Sequence, residues 1–225
     1  AELDQLKAAL RGVPMIDIHA PFDNYDVSFV SPNPRVLQAS LDELEATLEV
    51  ARAVGAQTVT LHTGSTATRI GPDREWACFR KVLPEIDRLA GRYGVRIGAE
   101  LTSHYEILDE AHTQHVGLTL DVAHILLAGG ADYGGYGSLG RIIERFAPRV
   151  FHMHIHDCDG QRDHLALGAG VIDFGDVIAA LVRIGYQGGL GLELNPERVH
   201  TPAEALRCAA WLRERIREEQ ARAAP

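Results

Sequence analysis

Six short apolar runs, each followed or ended by His, Asp or Glu, most constrain how this 225-residue chain can fold. Runs of four to eight apolar residues are typical of buried strands, and amphipathic helical patterns separate most of them here. Repeated alternation of strand and helix predicts a parallel sheet with right-handed crossovers. The predicted strands cover residues 15–20, 57–62, 95–100, 116–121, 150–156 and 189–193.

Helix signals fill the intervals between these strands. Gly55, Gly94 and Gly185 follow periodic apolar stretches, which is where a C-capping glycine is expected. The glycine-rich stretch 129–140 is predicted to be a loop, as is the polar stretch 157–173. The predicted helices cover residues 2–11, 34–54, 74–93, 103–112, 141–146, 173–184 and 201–222.

This order predicts an α/β fold, a parallel (β/α)8 barrel of the TIM type that forms one domain over residues 1–225. A closed barrel of this type has eight strands, whereas the sequence supplies about six. The chain also begins with the end of a helix and with Ala rather than Met. We therefore expect the first β-α-β unit of the barrel to precede residue 1.

Net charge, the N-terminal sequence and the cysteine content indicate which kinds of binding partner this chain can have. The net charge is −9, with both signs interspersed, which disfavours nucleic acid without excluding it. The N-terminus is charged and amphipathic, which is not typical of a signal peptide, and the sequence predicts no membrane partner. Three cysteines without CxxC spacing favour a reducing compartment. We expect a cytoplasmic protein with a small-molecule substrate that can form a homo-oligomer.

The residues that end the strands predict a polar site. In a parallel barrel the C-terminal ends of all strands meet on one face, so these side chains would converge. A single His at a strand end, such as His19 or His62, is more often a hydrogen-bonded structural residue than a ligand. Glu100 and Glu193 are harder to explain structurally, because carboxylates at the ends of buried strands are rare unless paired or metal-bound.

Two further segments strengthen the metal hypothesis. Asp121 and His124 lie three residues apart at a strand end, a spacing that lets both reach one region. The segment 152–156 places three imidazoles on one strand face, for which a purely structural protein has little use. His164 lies in the polar loop 157–173, which could fold over the mouth of the barrel. Together these residues predict a divalent metal site.

The chain resembles the xylose-isomerase-like barrels, a family of sugar isomerases and epimerases with a branch of endonuclease IV-type nucleases. The order and spacing of its motifs over nearly the whole chain carry this resemblance. The matching segments are His19-Ala20-Pro21-Phe22, residues 53–64, Gly98-Ala99-Glu100, Leu120-Asp121-Val122-Ala123-His124, His154-Ile155-His156-Asp157, residues 164–174 and residues 185–193.

The resemblance implies a single-metal site made by Glu100, Asp121, His154 and Glu193. In the nuclease branch further ions use residues that match His19, His62, His124 and His164, together with an aspartate two residues before the last histidine. Here Arg162 occupies that aspartate position, and Asp163 follows one residue late. Thr63 and His156 also replace the Pro and Asn that are usual in that branch.

We therefore expect a metal-dependent isomerase or epimerase of a sugar or related polyol that abstracts a proton next to a carbonyl. Glu100 and Glu193 would accept and donate the proton, and His124 and Arg162 would contact substrate oxygens. The metal would be Mn²⁺ or Zn²⁺, with one ion expected and up to three possible.

Two alternatives stay open. One is a multi-zinc phosphoesterase that cleaves abasic-site DNA, and the other is a non-catalytic relative that binds a metal or a small molecule. The orientation of two loop residues separates the first alternative from the isomerase. Arg162 facing the cluster with Asp163 facing solvent would favour the isomerase with one ion. Asp163 and His164 both facing the cluster within reach of His154 would instead place the multi-metal hydrolase first.

Overall fold

The structure is a computed structural model that describes residues 2–22, 27–65, 70–197 and 201–224. Within them it contains six strands and eight α-helices, and six strands is the number that the sequence predicts. The strands are β1 (Asp17–His19), β2 (Thr58–His62), β3 (Arg96–Glu100), β4 (Val116–Asp121), β5 (Val150–Ile155) and β6 (Gly189–Leu192). The helices are α1 (Glu2–Ala9), α2 (Pro34–Val54), α3 (Pro72–Tyr93), α4 (Ile107–Glu110), α5 (Val122–Gly129), α6 (Leu139–Arg145), α7 (Phe174–Arg183) and α8 (Pro202–Ala223).

The chain forms two compact units, Ala1–Thr119 and Leu120–Pro225. In the first unit β1, β2, β3 and β4 pair side by side in chain order, and every pair is parallel. In the second unit β5 and β6 are parallel, with His154 opposite Gly191. The pairing agrees with the parallel arrangement that the alternating sequence pattern predicts.

Side-chain and glycine caps fix where the helices begin and end. The carboxamide of Asn33 accepts a hydrogen bond from the backbone N–H of Arg35 at the start of α2. Gly55 ends the same helix with a φ of 75°, a left-handed conformation that costs glycine little. Asp173 and Thr201 cap α7 and α8 in the way that Asn33 caps α2. These caps set the lengths of the connections that lead back to the strands.

The interior of the first unit is apolar on its helical side and partly polar beneath the strand ends. Phe79 of α3 and Leu48 of α2 are fully buried. Nearer the strand ends, the hydroxyls of Thr60 and Thr119 lie 2.9 Å apart and share a hydrogen bond. A Cβ atom on Gly98 would lie 2.1 Å from Oγ1 of Thr119. Glycine at position 98 therefore makes room for this buried hydroxyl pair.

Two segments differ from the sequence prediction. The stretch 129–140, predicted as a loop, continues α5 to Gly129 and then forms a 3-10 helix over Gly130–Gly135. Tyr133 there has a φ of 49°, which interrupts regular helix geometry. The helix predicted over 103–112 is confined to α4, because His104 and His112 on either side have φ values of 55° and 51°.

Long helices are present, but their surfaces are rich in charged residues. Among the residues that the structure describes, each helix is too short or too polar to be a candidate for crossing a membrane.

Candidate metal centre

The first unit brings together three predicted site residues at the ends of neighbouring strands. Nε2 of His62 lies 3.1 Å from Oε2 of Glu100, and Nε2 of His19 lies 4.0 Å from the same oxygen. The Glu100 side chain is almost fully buried, whereas both imidazoles are about one quarter exposed. We call His19, His62 and Glu100 the first cluster. One donor atom from each residue lies within 4.8 Å of the others, so the cluster could hold a metal ion.

Phe22 lies against the first cluster and is not among the predicted site residues. Its ring stacks on His62 with centroids 4.7 Å apart and an interplanar angle of 20°. It also contacts His19 with centroids 4.5 Å apart. The sequence signal for Phe22 was its place at the end of the His19-Ala20-Pro21-Phe22 segment that matches the family. Phe22 is partly exposed, so it forms an apolar wall beside the two imidazoles.

Asp121 is the centre of the second unit's polar residues. It ends β4, is fully buried, and caps α5 with Oδ1, which accepts the backbone N–H groups of Ala123 and His124 at 2.9 and 2.8 Å. The other oxygen, Oδ2, lies 2.8 Å from Nε2 of His156 and 3.8 Å from Nδ1 of His154. Nδ1 of His124 is 3.3 Å from the same oxygen.

Glu193 completes this group from the segment after β6. Its Oε2 lies 3.0 Å from Nδ1 of His154 and 3.8 Å from Nε2 of His164. Three of the four residues predicted for the single-metal site, Asp121, His154 and Glu193, therefore lie together in the second unit. Glu100, the fourth, belongs to the first cluster, and its part in this site stays a prediction.

The polar loop adds a carboxylate and an imidazole to the group around Asp121. Oδ1 of Asp163 is 2.9 Å from Nδ1 of His164, and Oδ2 is 3.6 Å from Nε2 of His124. The pKa of His164 is raised from its ordinary value of 6.5, first by the Glu193 carboxylate, while partial burial of the ring opposes this and Asp163 adds to it. At 3.8 Å the Glu193 carboxylate acts as a charge partner rather than as a hydrogen-bond acceptor.

Arg162 requires a correction, because it lies outside this group. Its Nε donates a hydrogen bond of 2.8 Å to Oδ2 of Asp159, and its side chain is 68% exposed. The backbone N–H groups of Gln161 and Arg162 bind Oδ1 of Asp159, which forms a tight turn that directs the guanidinium outward. Those backbone bonds, led by that of Arg162, and the guanidinium lower the pKa of Asp159 to about 2. The loop thus turns Asp163 and His164, rather than Arg162, toward Asp121.

Asp157 shapes this loop and was missed as a functional residue. It is fully buried, and its carboxylate accepts four backbone N–H groups. Oδ1 binds those of Cys158 and Ile172 at 2.8 and 3.1 Å, and Oδ2 binds those of Gly168 and Gly170 at 3.0 and 2.8 Å. An aspartate directly after the strand and a Gly-x-Gly stretch eleven residues later were the available sequence signals. Asp157 closes the loop that carries Asp163 and His164.

His164 itself has strained backbone geometry. Its φ is 53°, a left-handed value that non-glycine residues seldom adopt. Its N–H donates to Nδ1 of His156 at 2.8 Å, and its carbonyl accepts from the N–H of Asn195 at 3.1 Å. Strain of this kind persists only where the surroundings impose it, and it often marks functional sites.

The donor atoms of the second unit suit a divalent metal. We call Asp121, His124, His154, Asp163, His164 and Glu193 the second cluster. Imidazoles and carboxylates that converge on shared points are the ligands that Zn²⁺ and Mn²⁺ take in proteins, and Asp121 and His154 of this cluster are buried. The 3.0 Å separation between His154 and Glu193 lets one ion contact both side chains. The residues present therefore fit a metal ion.

The chain belongs to the family of xylose isomerase-like TIM barrels, whose model matches residues 1–215. This confirms the resemblance stated from the sequence and the predicted barrel class. A solved D-tagatose 3-epimerase-like protein shares the fold with a TM-score of 0.80 and 24% identity, over 99% of this chain and 85% of that one. A solved IOLI protein with a bound zinc atom aligns with a TM-score of 0.75 and 22% identity, over 97% of this chain and 83% of that one.

Two relatives are similar in sequence. An uncharacterised protein of Methanocaldococcus jannaschii is 27% identical over 197 residues, which is 79% of this chain and 64% of that protein. An inosose isomerase of Bacillus subtilis is 25% identical over 183 residues, which is 73% of this chain and 63% of that enzyme. The chain therefore spans slightly less than two thirds of the length of either relative.

Proposed function

We propose that this chain carries the catalytic centre of a metal-dependent isomerase or epimerase that acts on a sugar or a cyclic polyol. The observation that carries the proposal is the convergence of Asp121, His154 and Glu193 at the ends of β4, β5 and β6. Similarity to an inosose isomerase and to a sugar-epimerase-like structure supports the reaction class.

Asp121, His154 and Glu193 would hold the ion, and Glu100 is proposed as its fourth ligand. A divalent metal supplies charge that polarises the carbonyl and neighbouring hydroxyl oxygens of a substrate, which makes the adjacent C–H bond more acidic. Zinc is the first candidate because a zinc atom is bound in one structural neighbour. Manganese is the second, because the same nitrogen and oxygen donors suit it.

The proton transfer is assigned to the two glutamates. One carboxylate takes the proton from the carbon next to the carbonyl, and the C–H electron pair moves toward the polarised oxygen. In an epimerase the other carboxyl group returns a proton to the opposite face of the same carbon, which inverts its configuration. In an isomerase the proton returns to the neighbouring carbon, and the hydroxyl proton of the first carbon passes to the former carbonyl oxygen, so that the first carbon becomes the new carbonyl. Charge balances because each glutamate regains its starting form through exchange with solvent.

His124 is proposed to position the substrate. Nδ1 faces Asp121 at 3.3 Å while Nε2 faces Asp163 at 3.6 Å, so the ring lies between two carboxylates. A substrate hydroxyl that enters between His124 and Asp163 would find a donor and an acceptor side by side. This arrangement suits a polyol, which offers hydroxyls on consecutive carbons.

A second candidate function rests on the orientation of the loop. Asp163 and His164 face the second cluster and Arg162 does not, which is the arrangement that the sequence analysis associated with several ions. Two or three ions in one site would suit phosphoester hydrolysis on abasic-site DNA. The net charge of −9 opposes binding to a phosphate backbone, and the similarity to an inosose isomerase and to a sugar-epimerase-like protein supports the other reaction class. Phosphoester hydrolysis therefore ranks second.

Deuterium exchange tests both candidates. Protein purified without chelator is assayed for metal content and then incubated in D₂O with ketopentoses, ketohexoses or inososes, with added Zn²⁺ or Mn²⁺. We expect metal-dependent incorporation of deuterium at the carbon next to the carbonyl, detected by NMR, and its loss in Glu100→Gln and in Glu193→Gln. Absence of exchange with every substrate, together with metal-dependent nicking of abasic-site DNA that Glu193→Gln abolishes, would overturn the isomerase proposal.

A further inference from the structure

We infer that His156 is a positioning residue for the metal site and not one of its ligands. It orients the Asp121 carboxylate with one ring nitrogen and holds the loop that carries Asp163 and His164 with the other. The inference rests on the proposed function, because it assumes that Asp121 binds the ion.

The hydrogen bonds of His156 assign its tautomer. The backbone N–H of His164 lies 2.8 Å from Nδ1 and can only donate, so Nδ1 carries a lone pair. The carbonyl of Asp157, 3.4 Å from the same nitrogen, is a longer contact that does not change this assignment. The proton of the neutral ring is therefore on Nε2, which donates to Oδ2 of Asp121 at 2.8 Å.

Both nitrogens of His156 are thus committed to protein groups. A metal ligand needs a free nitrogen lone pair, and that of Nδ1 is taken by the loop. His154, two residues earlier in β5, instead has Nδ1 within 3.0 Å of Glu193. Two histidines at the end of one strand therefore have different roles, and only His154 is proposed as a ligand.

The hydrogen bond to Asp121 fixes the carboxylate that receives it. Oδ1 is held by two N–H groups of α5, and Oδ2 is held by Nε2 of His156, so the carboxylate plane cannot rotate freely. Partners of this kind typically change metal affinity 10- to 100-fold when they are removed.

The hydrogen bond at Nδ1 supports the loop. It holds the backbone of His164 at its left-handed φ, and the two imidazole rings stack with centroids 4.3 Å apart and an interplanar angle of 9°. Loss of this acceptor would release the strained turn, and Asp163 and His164 would leave their positions near His124. One buried side chain therefore connects the metal ligand to the loop.

Two conservative variants separate these roles. His156→Gln places an amide N–H near the position of Nε2 and retains the donor to Asp121. His156→Asn places an amide oxygen near the position of Nδ1 and retains the acceptor for His164. The zinc dissociation constant of the metal-free full chain is measured by competition with a chromophoric chelator, and the loop is followed by hydrogen exchange over residues 157–173.

We expect His156→Asn to weaken zinc binding by about 10- to 100-fold while the loop amides stay protected. His156→Gln should bind zinc within about threefold of the wild type, whereas its loop amides exchange faster. His112→Asn, which changes an exposed histidine of the first unit, is the control and should match the wild type in both measurements. Two variants that both bind zinc like the wild type would overturn the inference, as would two that lose zinc equally.

The wild-type chain supplies a second measurement that does not depend on the folding of the variants. Long-range proton–nitrogen NMR should show His156 as the Nε2–H tautomer, and titration with ¹¹³Cd²⁺ should couple the metal to nitrogen of His154 and not of His156. Coupling to His156 would overturn the inference. A wild type that binds neither zinc nor cadmium would refute the proposed metal dependence, whereas the tautomer and the loop exchange would still test the hydrogen bonds of His156.

Discussion

The two clusters of strand-end residues differ in how firmly the protein itself holds their carboxylates. In the first cluster Glu100 faces two partly exposed imidazoles at 3.1 and 4.0 Å. In the second cluster Asp121 is fully buried and receives two backbone N–H groups and one imidazole N–H. A preorganised carboxylate binds an ion with little reorganisation, so we expect the second cluster to contribute the larger part of the affinity for metal.

The largest effect should come from the second cluster. Glu193→Gln removes a proposed base and a negative metal ligand together, and we expect the turnover rate to fall at least 10³-fold. The measurement is deuterium exchange into the substrate. Glu197→Gln changes an exposed carboxylate nearby in sequence and should leave the rate close to that of the wild type. More than a tenth of the wild-type rate in Glu193→Gln would remove the basis for the comparison.

The loop beside the second cluster should show the next largest effect, on stability. Asp157→Asn leaves one carbonyl oxygen where four N–H groups need acceptors, and its NH₂ group faces other donors. Hydrogen bonds to a charged group contribute about 1.5–3 kcal/mol, so the free energy of unfolding should fall by about 2–3 kcal/mol. For a chain of this size this corresponds to a melting temperature lower by roughly 4 to 12 °C.

Asp159→Asn is the matched control for this prediction. Asp159 lies in the same loop but binds Arg162, which is exposed to solvent. Its substitution should shift the melting temperature much less than Asp157→Asn does. Equal shifts in the two variants would show that the loop contributes little beyond general surface charge.

The pH dependence of metal binding sharpens the comparison. The Glu193 carboxylate, with Asp163, raises the pKa of His164 above 6.5, so below that pKa the metal-free protein holds a proton there. An ion bound to Glu193 would displace this proton. Zinc affinity should therefore decrease as the pH falls through this raised pKa, by up to about tenfold per pH unit for one displaced proton. Calorimetric titrations at a series of pH values measure this, and His164→Asn should flatten the profile.

Protonation of His164 also stabilises the metal-free fold, so this contribution to stability decreases as the pH rises, whereas zinc affinity increases. Protonated His164 is stabilised by Glu193 and Asp163, so without metal this contribution is complete below the unfolded value of 6.5. It is lost as the pH rises through the raised folded pKa. The melting temperature of the metal-free wild type should therefore decrease with rising pH more than that of His164→Asn does. Equal pH dependence in the two proteins would contradict the assignment of the pKa shift to Glu193 and Asp163.

The smallest effect is expected in the first cluster. His62→Gln removes the imidazole that lies 3.1 Å from Glu100 but leaves the second cluster intact. We expect zinc affinity within about threefold of the wild type and a turnover rate reduced less than tenfold, because neither proposed base is changed. A loss as large as that in Glu193→Gln would show that the first cluster holds an essential ion.

Strand ends were predictable because sequence period and residue type both mark them. The family resemblance implied one site made by Glu100, Asp121, His154 and Glu193, and the structure brings the last three of these together. The direction of loop side chains was not predictable in the same way. Asp159 sets where Arg162 points through three local hydrogen bonds, and nothing in the sequence spacing reveals that turn.

The roles of Asp157 and His156 were hidden for a related reason. Both are polar residues directly after a buried strand. From residue type and position alone, each could equally be a metal ligand or a solvated loop residue. Their roles depend on five backbone N–H groups that come within 3.1 Å, and four of these groups belong to residues 8 to 15 positions away. Sequence patterns predict side-chain chemistry better than they predict such backbone partners.

The four hydrogen bonds that the Asp157 carboxylate accepts bear on how related proteins with this loop could come to prefer different substrates. It fixes both ends of the loop, so the exposed tip at residues 160–162 can change in sequence while the stem and the strands keep their geometry. Gly160 even has open space where a side chain would project, although its φ of 89° disfavours other residues. A mutational library confined to this tip would change the surface beside the proposed metal site and leave the geometry of that site unchanged.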